Sequence, residues 1–440
     1  MSPTLNVNCR ISFLVKRRID FTAFGIDGAS MSLGSATLRG MSFRKLVTGA
    51  ALGISVLLAG CVNSPNFSSV NTPLQPDLNP NGQPQLVSGR AIGNGSVRVG
   101  LLLPYSGEGQ SAASVATLFE NSAKLALEDF QGADIQLLVK DTGGTAEGAS
   151  IAAQQAISEG AELLIGPVFA PAVQGATAVA RRSGVPIVAF SSDTNAAKPG
   201  TYLLSYLPVS DVNRIVSYAA EQERRSYSAL LPNNAYGAVA EAAFRQAVGQ
   251  TNGRIITIER YIPGNAEDIR ARVASLSRSI SQVDTLFVPE GGGVPPFVVQ
   301  VMTEMGANLG EVKMIGSGQW NTPEILQSPV MVGSWFPGPD NQSFERLATR
   351  YRETYGSQPP RNASLAYDAT ILAAGLVRSA GPDRFSDRVL TNRDGFLGID
   401  GIFRFQQDGL NNRGLAVYAV TGKREAEPIA PAPRSFAGQF

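Results

Sequence analysis

The chain has 440 residues, 43% hydrophobic and 17% charged, which is typical of a globular protein with room for two domains. Its 37 Lys and Arg against 36 Asp and Glu leave a net charge of +1, so no excess of positive charge indicates a nucleic-acid partner. The absence of histidine removes the commonest general base and the usual zinc ligand. We therefore predict that the protein is not an enzyme and has neither cofactor nor metal.

Residues 41–60 have the pattern of a bacterial export signal. Arg44 and Lys45 precede an apolar stretch, Leu46–Leu58, which is too short to span a bilayer. Small residues then lead directly into Cys61, and this arrangement resembles the lipobox of bacterial lipoproteins. The resemblance implies that Cys61 is lipidated and anchors the mature protein to a membrane.

The first forty residues do not fit this plan, because a signal sequence should begin the chain. Met31 and Met41 both offer later starts. We therefore predict that residues 1–40 reflect a mis-set translation start.

The segment after the signal, residues 61–96, is rich in Asn, Pro, Gln, Ser and Gly and lacks periodic apolar spacing. Such a segment cannot bury enough apolar surface to order itself, so we expect the lipidated cysteine to be followed by a disordered tether. Val62 rather than Asp follows the cysteine, which in enteric-type lipoproteins implies the outer membrane. The predicted location is therefore the periplasm, anchored to the outer membrane.

Strand and helix patterns alternate from residue 97 onwards, in two similar runs. The first run predicts strands at Val97–Leu103, Ile135–Lys140, Glu162–Gly166 and Pro186–Phe190, with helices at Ser114–Phe130, Ala146–Ser158 and Pro171–Arg182. The second predicts strands at Tyr227–Leu231, Arg254–Tyr261, Thr285–Val288 and Val312–Ile315, with helices at Ala235–Val248, Ala266–Ile280 and Val298–Met305. This alternation indicates an α/β fold of two doubly wound parallel-sheet lobes.

The C-terminal part breaks the alternation, with two successive predicted helices and then two strands. These elements are expected at Phe344–Tyr355, Ala363–Ser379, Gly401–Phe405 and Leu415–Val420. We assign the helices to lobe one and the strands to lobe two, with crossings near Leu207–Ser210, Val332–Pro339 and Gly398–Gly401. Lobe one then comprises 97–207 plus 341–397, lobe two comprises 211–332 plus 401–422, and 424–440 form a disordered tail.

Several segments between residues 97 and 422 resemble one family. They are VGLLLPYSGEGQ (99–110), LLIGPVFAPAV (163–173), GVPIVAFSSDT (184–194), NNAYGAVAEAAF (233–244) and SLAYDATILAAGL (364–376). The sequence resembles the type I periplasmic binding proteins, in particular the leucine/isoleucine/valine-binding receptors of ABC transporters. The resemblance implies two lobes joined by three crossovers, a small polar solute such as an amino acid or amide in the cleft between them, and an ABC permease as partner.

Ligands of open parallel sheets bind beyond the carboxyl ends of the strands, so the loops there supply the candidate site. In lobe one these candidates are Tyr105, Ser106, Gly166, Val168, Ala170, Ser191, Ser192 and Thr194; in lobe two they are Tyr236, Glu290 and Gln319. Turn N–H groups favour a ligand carboxylate, and Glu290 suits a cation. Each has a plainer alternative: the Ser191–Thr194 segment caps a helix, Tyr236 packs at a helix start, and Glu290 lies in a turn.

Two departures from the family pattern bear on the ligand. The receptors of this family hold the ligand carboxylate with serine hydroxyls where this chain has Phe169–Ala172, which contains none. They hold the ammonium with an acid near the position of Gly318 or Gln319, and neither residue is charged. A branched-chain amino acid would therefore bind poorly unless Glu290 or Asp193 supplies the missing acid.

The segments LLLPYSG, IGPVFAPAV and 398–420 are also similar to outer-membrane lipoproteins that carry this fold and activate a penicillin-binding protein. That resemblance implies a role in peptidoglycan synthesis, with a penicillin-binding protein in place of the permease. A binding protein that senses a ligand without transporting it is a further alternative. The sequence leaves these functions open.

Overall fold

A computed structural model describes residues 89–436 of the chain. The predicted mis-set start, the signal peptide, Cys61 and most of the predicted tether lie outside the described residues. The prediction of a disordered tether is wrong at its end, because Ala91–Ile92 form an edge strand antiparallel to Ile135–Asp141. Pairing there satisfies backbone groups that would otherwise be exposed, and the Val139 N–H donates to the Arg90 carbonyl at 3.0 Å.

Lobe one is built on a six-stranded sheet with helices on both faces. Its strands are β1 (Ala91–Ile92), β2 (Val97–Leu103), β3 (Ile135–Asp141), β4 (Ala161–Ile165), β5 (Ile187–Ala189) and β6 (Thr201–Leu203). Its helices in this part of the chain are α1 (Gln110–Asp129), α2 (Ala146–Ser158) and α3 (Ala170–Ser183). The strand order is β1-β3-β2-β4-β5-β6, and every pair except β1 with β3 is parallel.

Lobe two repeats this plan. Its elements are α4 (Pro208–Glu221), β7 (Ser226–Pro232), α5 (Ala235–Gln250), β8 (Arg254–Tyr261), α6 (Ala266–Ser277), β9 (Thr285–Phe287), α7 (Val294–Glu304), β10 (Lys313–Ile315), α8 (Pro323–Leu326) and β11 (Trp335–Gly338). The remaining elements are α9 (Asn341–Tyr355), α10 (Ala363–Ser379), α11 (Asp387–Leu390), β12 (Phe396–Gly398), β13 (Gly401–Phe405), β14 (Asn411–Arg413), β15 (Ala416–Ala419) and β16 (Glu427–Ala430). The lobe-two sheet has the order β16-β15-β11-β10-β9-β7-β8, with antiparallel β15 and β16 at one edge.

The strands of lobe one are covered on both faces, as their near-continuous apolar sequences predict. On one face α1, α9 and α10 bury large side chains such as Phe119, Phe344 and Leu372. On the other face the alanine-rich helices α2 and α3 pack against Leu102 and Leu164. The predicted α/β fold of two parallel-sheet lobes is confirmed. Among the described residues, no helix has the length and apolar character needed to cross a membrane.

The positions predicted for the crossings between lobes need correction. Ser210 lies within α4, and β11 belongs to the lobe-two sheet, so the second crossing begins only at Pro339. Strand β13, assigned to lobe two, instead joins β12 and β14 in a small sheet against lobe one. Phe403 and Phe405 alternate on one face of β13 and enter the lobe-one core, so the third crossing lies at Gly414.

The predicted disordered tail is also wrong within the described residues. Strand β16 pairs with β15 at the edge of lobe two. Residues 431–436, the C-terminal strap, then return to lobe one. There Phe436 is buried beneath the Arg404 guanidinium, whose central carbon lies 4.5 Å from the ring centroid. The strap therefore adds a link between the lobes beyond the three crossings.

The first two crossings meet at the buried carboxylate of Asp400, and Arg413, next to the third crossing at Gly414, contributes a nearby positive charge. Tyr206, from the first crossing, donates its hydroxyl to this carboxylate, and Arg361 donates to it at 2.6 and 3.0 Å. Arg361 also donates to the carbonyl of Asp340 in the second crossing, at 3.0 Å. Burial opposes ionisation of Asp400, but Arg361 and Arg413 outweigh it, so the pKa of Asp400 lies below its ordinary value. We call these residues the hinge network.

Candidate functional site

The carboxyl ends of the parallel strands in both lobes define the candidate site. The first two crossings leave their sheets from this edge, after Leu203 in lobe one and after Gly338 in lobe two. The loops that follow the parallel strands of each sheet therefore line the cleft between the lobes.

In lobe one, Asp141 at the end of β3 joins two of these loops. Its carboxylate accepts the backbone N–H of Ser106 at 3.2 Å and that of Gly143 at 2.9 Å. Burial alone would raise the pKa of Asp141, but hydrogen bonds from the Ser106 side chain and from backbone N–H groups, including that of Gly143, outweigh it and lower the pKa. The predicted Ser106 thus contributes its backbone N–H to an internal carboxylate.

Tyr105 does not have the free hydroxyl that the prediction requires. Its hydroxyl accepts from Arg90 Nη2 at 3.0 Å and donates to Glu120 of α1, which also pairs with Lys124 at 2.7 Å. The Arg90 guanidinium lies over the Tyr105 ring, 5.2 Å from its centroid. The structure therefore places Tyr105 in a charged cluster against α1.

The predicted residues of the loop after β4 have no polar side chains, so this loop can offer a ligand only its backbone groups. Gly166 has a φ of 84°, and a Cβ there would lie 2.3 Å from the Leu102 carbonyl oxygen, so glycine is required. Val168 is half-buried against the lobe-one core, and Ala170 begins α3. The neighbouring Phe169 leaves 37% of its surface exposed.

The loop after β5 has the capping role that was the alternative prediction. The buried Ser191 accepts the Asp193 N–H at 3.1 Å, and Asp193 accepts the Asn195 N–H at 3.0 Å at the start of a 3₁₀ turn. Thr194 is half-buried in that turn, whereas Ser192 is exposed. These local hydrogen bonds engage Ser191 Oγ and Asp193 Oδ1 as acceptors.

In lobe two, the predicted residues Tyr236 and Gln319 both contact Ser317, which begins the loop after β10. Ser317 donates to the Pro289 carbonyl at 2.5 Å, and the Tyr236 hydroxyl lies 3.2 Å from Ser317 Oγ and 3.3 Å from that carbonyl. Ser317 also accepts the Gln319 N–H at 3.2 Å. Gln319 Oε1 in turn accepts the Gly291 N–H at 3.3 Å, which links the loops after β9 and β10.

Trp320 holds the Glu290 loop in place. Its buried indole N–H donates to the carbonyls of Val288 at 3.0 Å and Glu290 at 3.1 Å. The ring lies against Gly316, where a Cβ would come within 1.9 Å of it. Glu290 Oε2 is buried without a hydrogen-bond partner, and burial raises the pKa of this carboxyl.

Asp211 is the acid that the sequence analysis missed. It lies in the first turn of α4, and its carboxylate accepts the Gly318 N–H at 2.9 Å. Burial raises the pKa of Asp211 to about 7, against a smaller opposing effect of the Gly318 hydrogen bond. An acid therefore reaches the position where the family pattern has one, although it comes from a different element.

Burial raises the pKa of the Tyr236 hydroxyl, and the nearby charges of Asp211 and Glu290 raise it further against the Ser317 hydrogen bond. The geometry agrees, because Asp211 accepts from Gly318, next to Ser317, and Glu290 follows Pro289, whose carbonyl lies 3.3 Å from this hydroxyl. We call Asp211, Tyr236, Glu290 and Ser317 the lobe-two cluster.

A cavity of about 370 Å³ lies at the start of α5 and is lined by Arg245 and Arg260, but by no member of the lobe-two cluster. Glu241 accepts from Arg260 Nε at 2.7 Å and from Arg245 Nε at 2.9 Å, so both guanidinium groups are already paired. Within residues 89–436, no group of three or more potential ligands could hold a metal ion.

Three solved structures share this fold. A putative branched-chain amino acid ABC transporter protein from Rhodospirillum rubrum is 18% identical, covering 76% of this chain and 99% of its own, with a TM-score of 0.66. An ABC transporter substrate-binding protein from Desulfitobacterium hafniense in complex with Leu is 18% identical, covering 76% and 99%, with a TM-score of 0.54. A solute-binding protein from R. palustris in complex with benzoate is 18% identical, covering 77% and 98%, with a TM-score of 0.50.

No curated protein sequence matches the chain. The sequence pattern of one family, described as periplasmic binding protein, matches residues 96–425, well over half of the chain. The chain belongs to the periplasmic binding protein family, whose members are solute-binding receptors rather than enzymes.

Proposed function

We propose that this protein is the solute-binding receptor of an ABC transporter and that a lipid on Cys61 anchors it in the periplasm. It binds an amino-acid-like or amide-like solute. The observation that carries the proposal is the lobe-two cluster, which gathers two carboxyls and two hydroxyls at the carboxyl ends of β9 and β10. A pocket with a few convergent polar groups and perturbed pKa values is the usual form of a ligand site.

The proposed mechanism is closure of the lobes on the ligand. The ligand binds the lobe-two cluster first, because that is where the charged groups lie. Lobe one then covers it with the loops at Ser106 and Phe169 and excludes water. The hinge network joins the crossings about which the lobes turn.

The structural neighbours support a small ligand. One is a putative branched-chain amino acid ABC transporter protein, another was solved in complex with Leu, and a third in complex with benzoate. The cleft of this chain differs from an amino-acid site in lobe one, where the candidate residues provide no free serine hydroxyl in the loop after β4.

A thermal-shift screen of the purified protein against amino acids, amino-acid amides, amines and aromatic acids tests the proposal. We expect a ligand at a hundredfold its dissociation constant to stabilise the fold by about 2.7 kcal/mol. The variant Ser317→Ala should weaken this stabilisation, whereas Ser158→Ala, at an exposed position on α2, should leave it unchanged. If no solute of these classes raises the melting temperature, the receptor function is wrong.

The second candidate is an outer-membrane lipoprotein that activates a penicillin-binding protein. Exposed apolar side chains favour it: Val330 and Val332 leave 48% and 54% of their surfaces exposed near the amino end of β11, away from the cleft. Exposed apolar surface of this kind often marks a protein interface.

For this candidate we expect the immobilised protein to retain purified penicillin-binding proteins, and the variant Val332→Glu to lose them. Ile151→Glu is the matched control, because Ile151 is 54% exposed on α2 of lobe one. Equal retention by both variants would show that the Val332 surface is not the interface.

A further inference from the structure

The loops at the carboxyl ends of the strands contain acids but no Lys or Arg. In lobe one these loops are 104–109, 142–145, 166–169 and 190–196; in lobe two they are 233–234, 262–265, 288–293 and 316–322. Their acids are Glu108, Asp193 and Glu290, and Asp211 joins them from α4. A ligand carboxylate would therefore enter a cleft whose loops carry only negative charge.

Lobe one has also used some of the backbone donors that could bind a ligand carboxylate. The backbone N–H groups of Ser106 and Gly143 already donate to Asp141, which occupies the place of an external anion. Pro171 in the loop after β4 has no N–H to offer.

Lobe two, by contrast, has carboxylate oxygens in need of a partner. Glu290 Oε2 is buried without a hydrogen bond, which is costly unless a ligand supplies one. Asp211 uses the Gly318 N–H for one oxygen and has no cation as partner in the ion pairs of the described residues. An ammonium group placed between these carboxyls would satisfy both.

We infer, on the basis of the proposed receptor function, that the ligand is a cationic amine without a carboxylate, its ammonium bound by Asp211 and Glu290 beside Tyr236. Amino-acid amides and simple alkylamines belong to this class. Free amino acids do not, because their carboxylate would meet lobe-one loops that contain acids but no Lys or Arg, and Asp141 has already taken the N–H groups of Ser106 and Gly143.

Calorimetric titration of the purified protein with four related probes tests this inference. The probes are leucine, leucinamide, isoamylamine and isovalerate, which share one side chain and differ in their ammonium and carboxylate groups. We expect leucinamide and isoamylamine to bind at least tenfold more tightly than leucine, and isovalerate not to bind.

The variants Asp211→Asn and Glu290→Gln should each weaken leucinamide binding at least tenfold, whereas Glu324→Gln, an exposed acid on α8, should leave it unchanged. Two variants are used so that a folding defect in one does not decide the result. Unchanged binding in both folded variants would overturn the assignment of the ammonium site.

The pH dependence gives an independent readout. The pKa of Asp211 lies at about 7, and the groups close to it are the Gly318 N–H and Tyr236, which in turn lies near Glu290. Lowering the pH from about 8 to about 6 protonates Asp211 and removes its charge, while isoamylamine stays protonated. Isoamylamine binding should therefore weaken across this range, and a flat profile would contradict the role of Asp211.

The titrations separate this inference from the function on which it rests. If leucine binds as tightly as leucinamide, the receptor function stands and the inference about the ligand class is wrong. If none of the four probes nor any solute of the thermal-shift screen binds, the receptor function itself fails, and the inference falls with it.

Discussion

We expect the substitution Asp400→Ala to lower the free energy of unfolding by about 3–5 kcal/mol, because it leaves buried positive charge without its partner. Asp400 is fully buried and accepts two hydrogen bonds from Arg361 and one from Ser364 at 2.6 Å. Arg413, also buried, lies close enough to lower the pKa of Asp400. Arg361 and Ser364 would lose their common acceptor, and Arg413 would lose the nearby negative charge.

Chemical denaturation followed by circular dichroism measures this loss. The matched control is Asp383→Ala, because Asp383 forms an ion pair of 2.9 Å with Arg388 in which both side chains are largely exposed. Exposed pairs contribute under about 1 kcal/mol, so the control should remain close to the wild type. Similar losses in the two variants would show that the hinge network does not stabilise the fold as a unit.

The substitution Trp320→Ala should also cost about 3–5 kcal/mol, and should in addition abolish ligand binding. The buried indole fills the space against Gly316 and donates its N–H to two carbonyls of the loop after β9. Without the ring a cavity opens beneath the Glu290 loop, and the lobe-two cluster loses its fixed geometry.

The second tryptophan of the chain provides the control for this prediction. Trp335 is only half-buried, at the start of β11, with Lys313 4.6 Å from its ring centroid. Trp335→Ala should therefore destabilise the protein less and leave leucinamide binding intact. Denaturation and calorimetry on both variants measure the two effects, and intact binding by Trp320→Ala would exclude its role in positioning Glu290.

The fold was predictable because periodicity carries the relevant information. Apolar strands such as Val97–Leu103, alternating with amphipathic helices, indicate a parallel sheet covered on both faces. The lobe assignment of Gly401–Phe405 failed for a physical reason. Alternating Phe403 and Phe405 indicate that one face is buried, but carry no information on which lobe buries it.

The sequence could predict only those residues of the candidate site that directly follow a strand, because the carboxyl ends of parallel strands lie at one edge of the sheet. Tyr236, Glu290 and Gln319 follow strands of one sheet and meet at the edge where those strands end. Asp211 was missed because it reaches Gly318, 107 residues along the chain, through the packing of α4 against the sheet. The contact of Tyr105 with Arg90 was not predicted, because Arg90 lies in a segment whose composition indicated disorder.

The C-terminal strap has a consequence for anyone who builds a sensor from this protein. The last strand, β16, belongs to lobe two, yet the next few residues bring Phe436 to Arg404 on lobe one. A fluorescent reporter inserted directly after Phe436 would therefore travel with lobe one. Because the strap is held at both ends, the length of the strap limits how far the two lobes can separate. The cleft can open further only if Phe436 is released from lobe one.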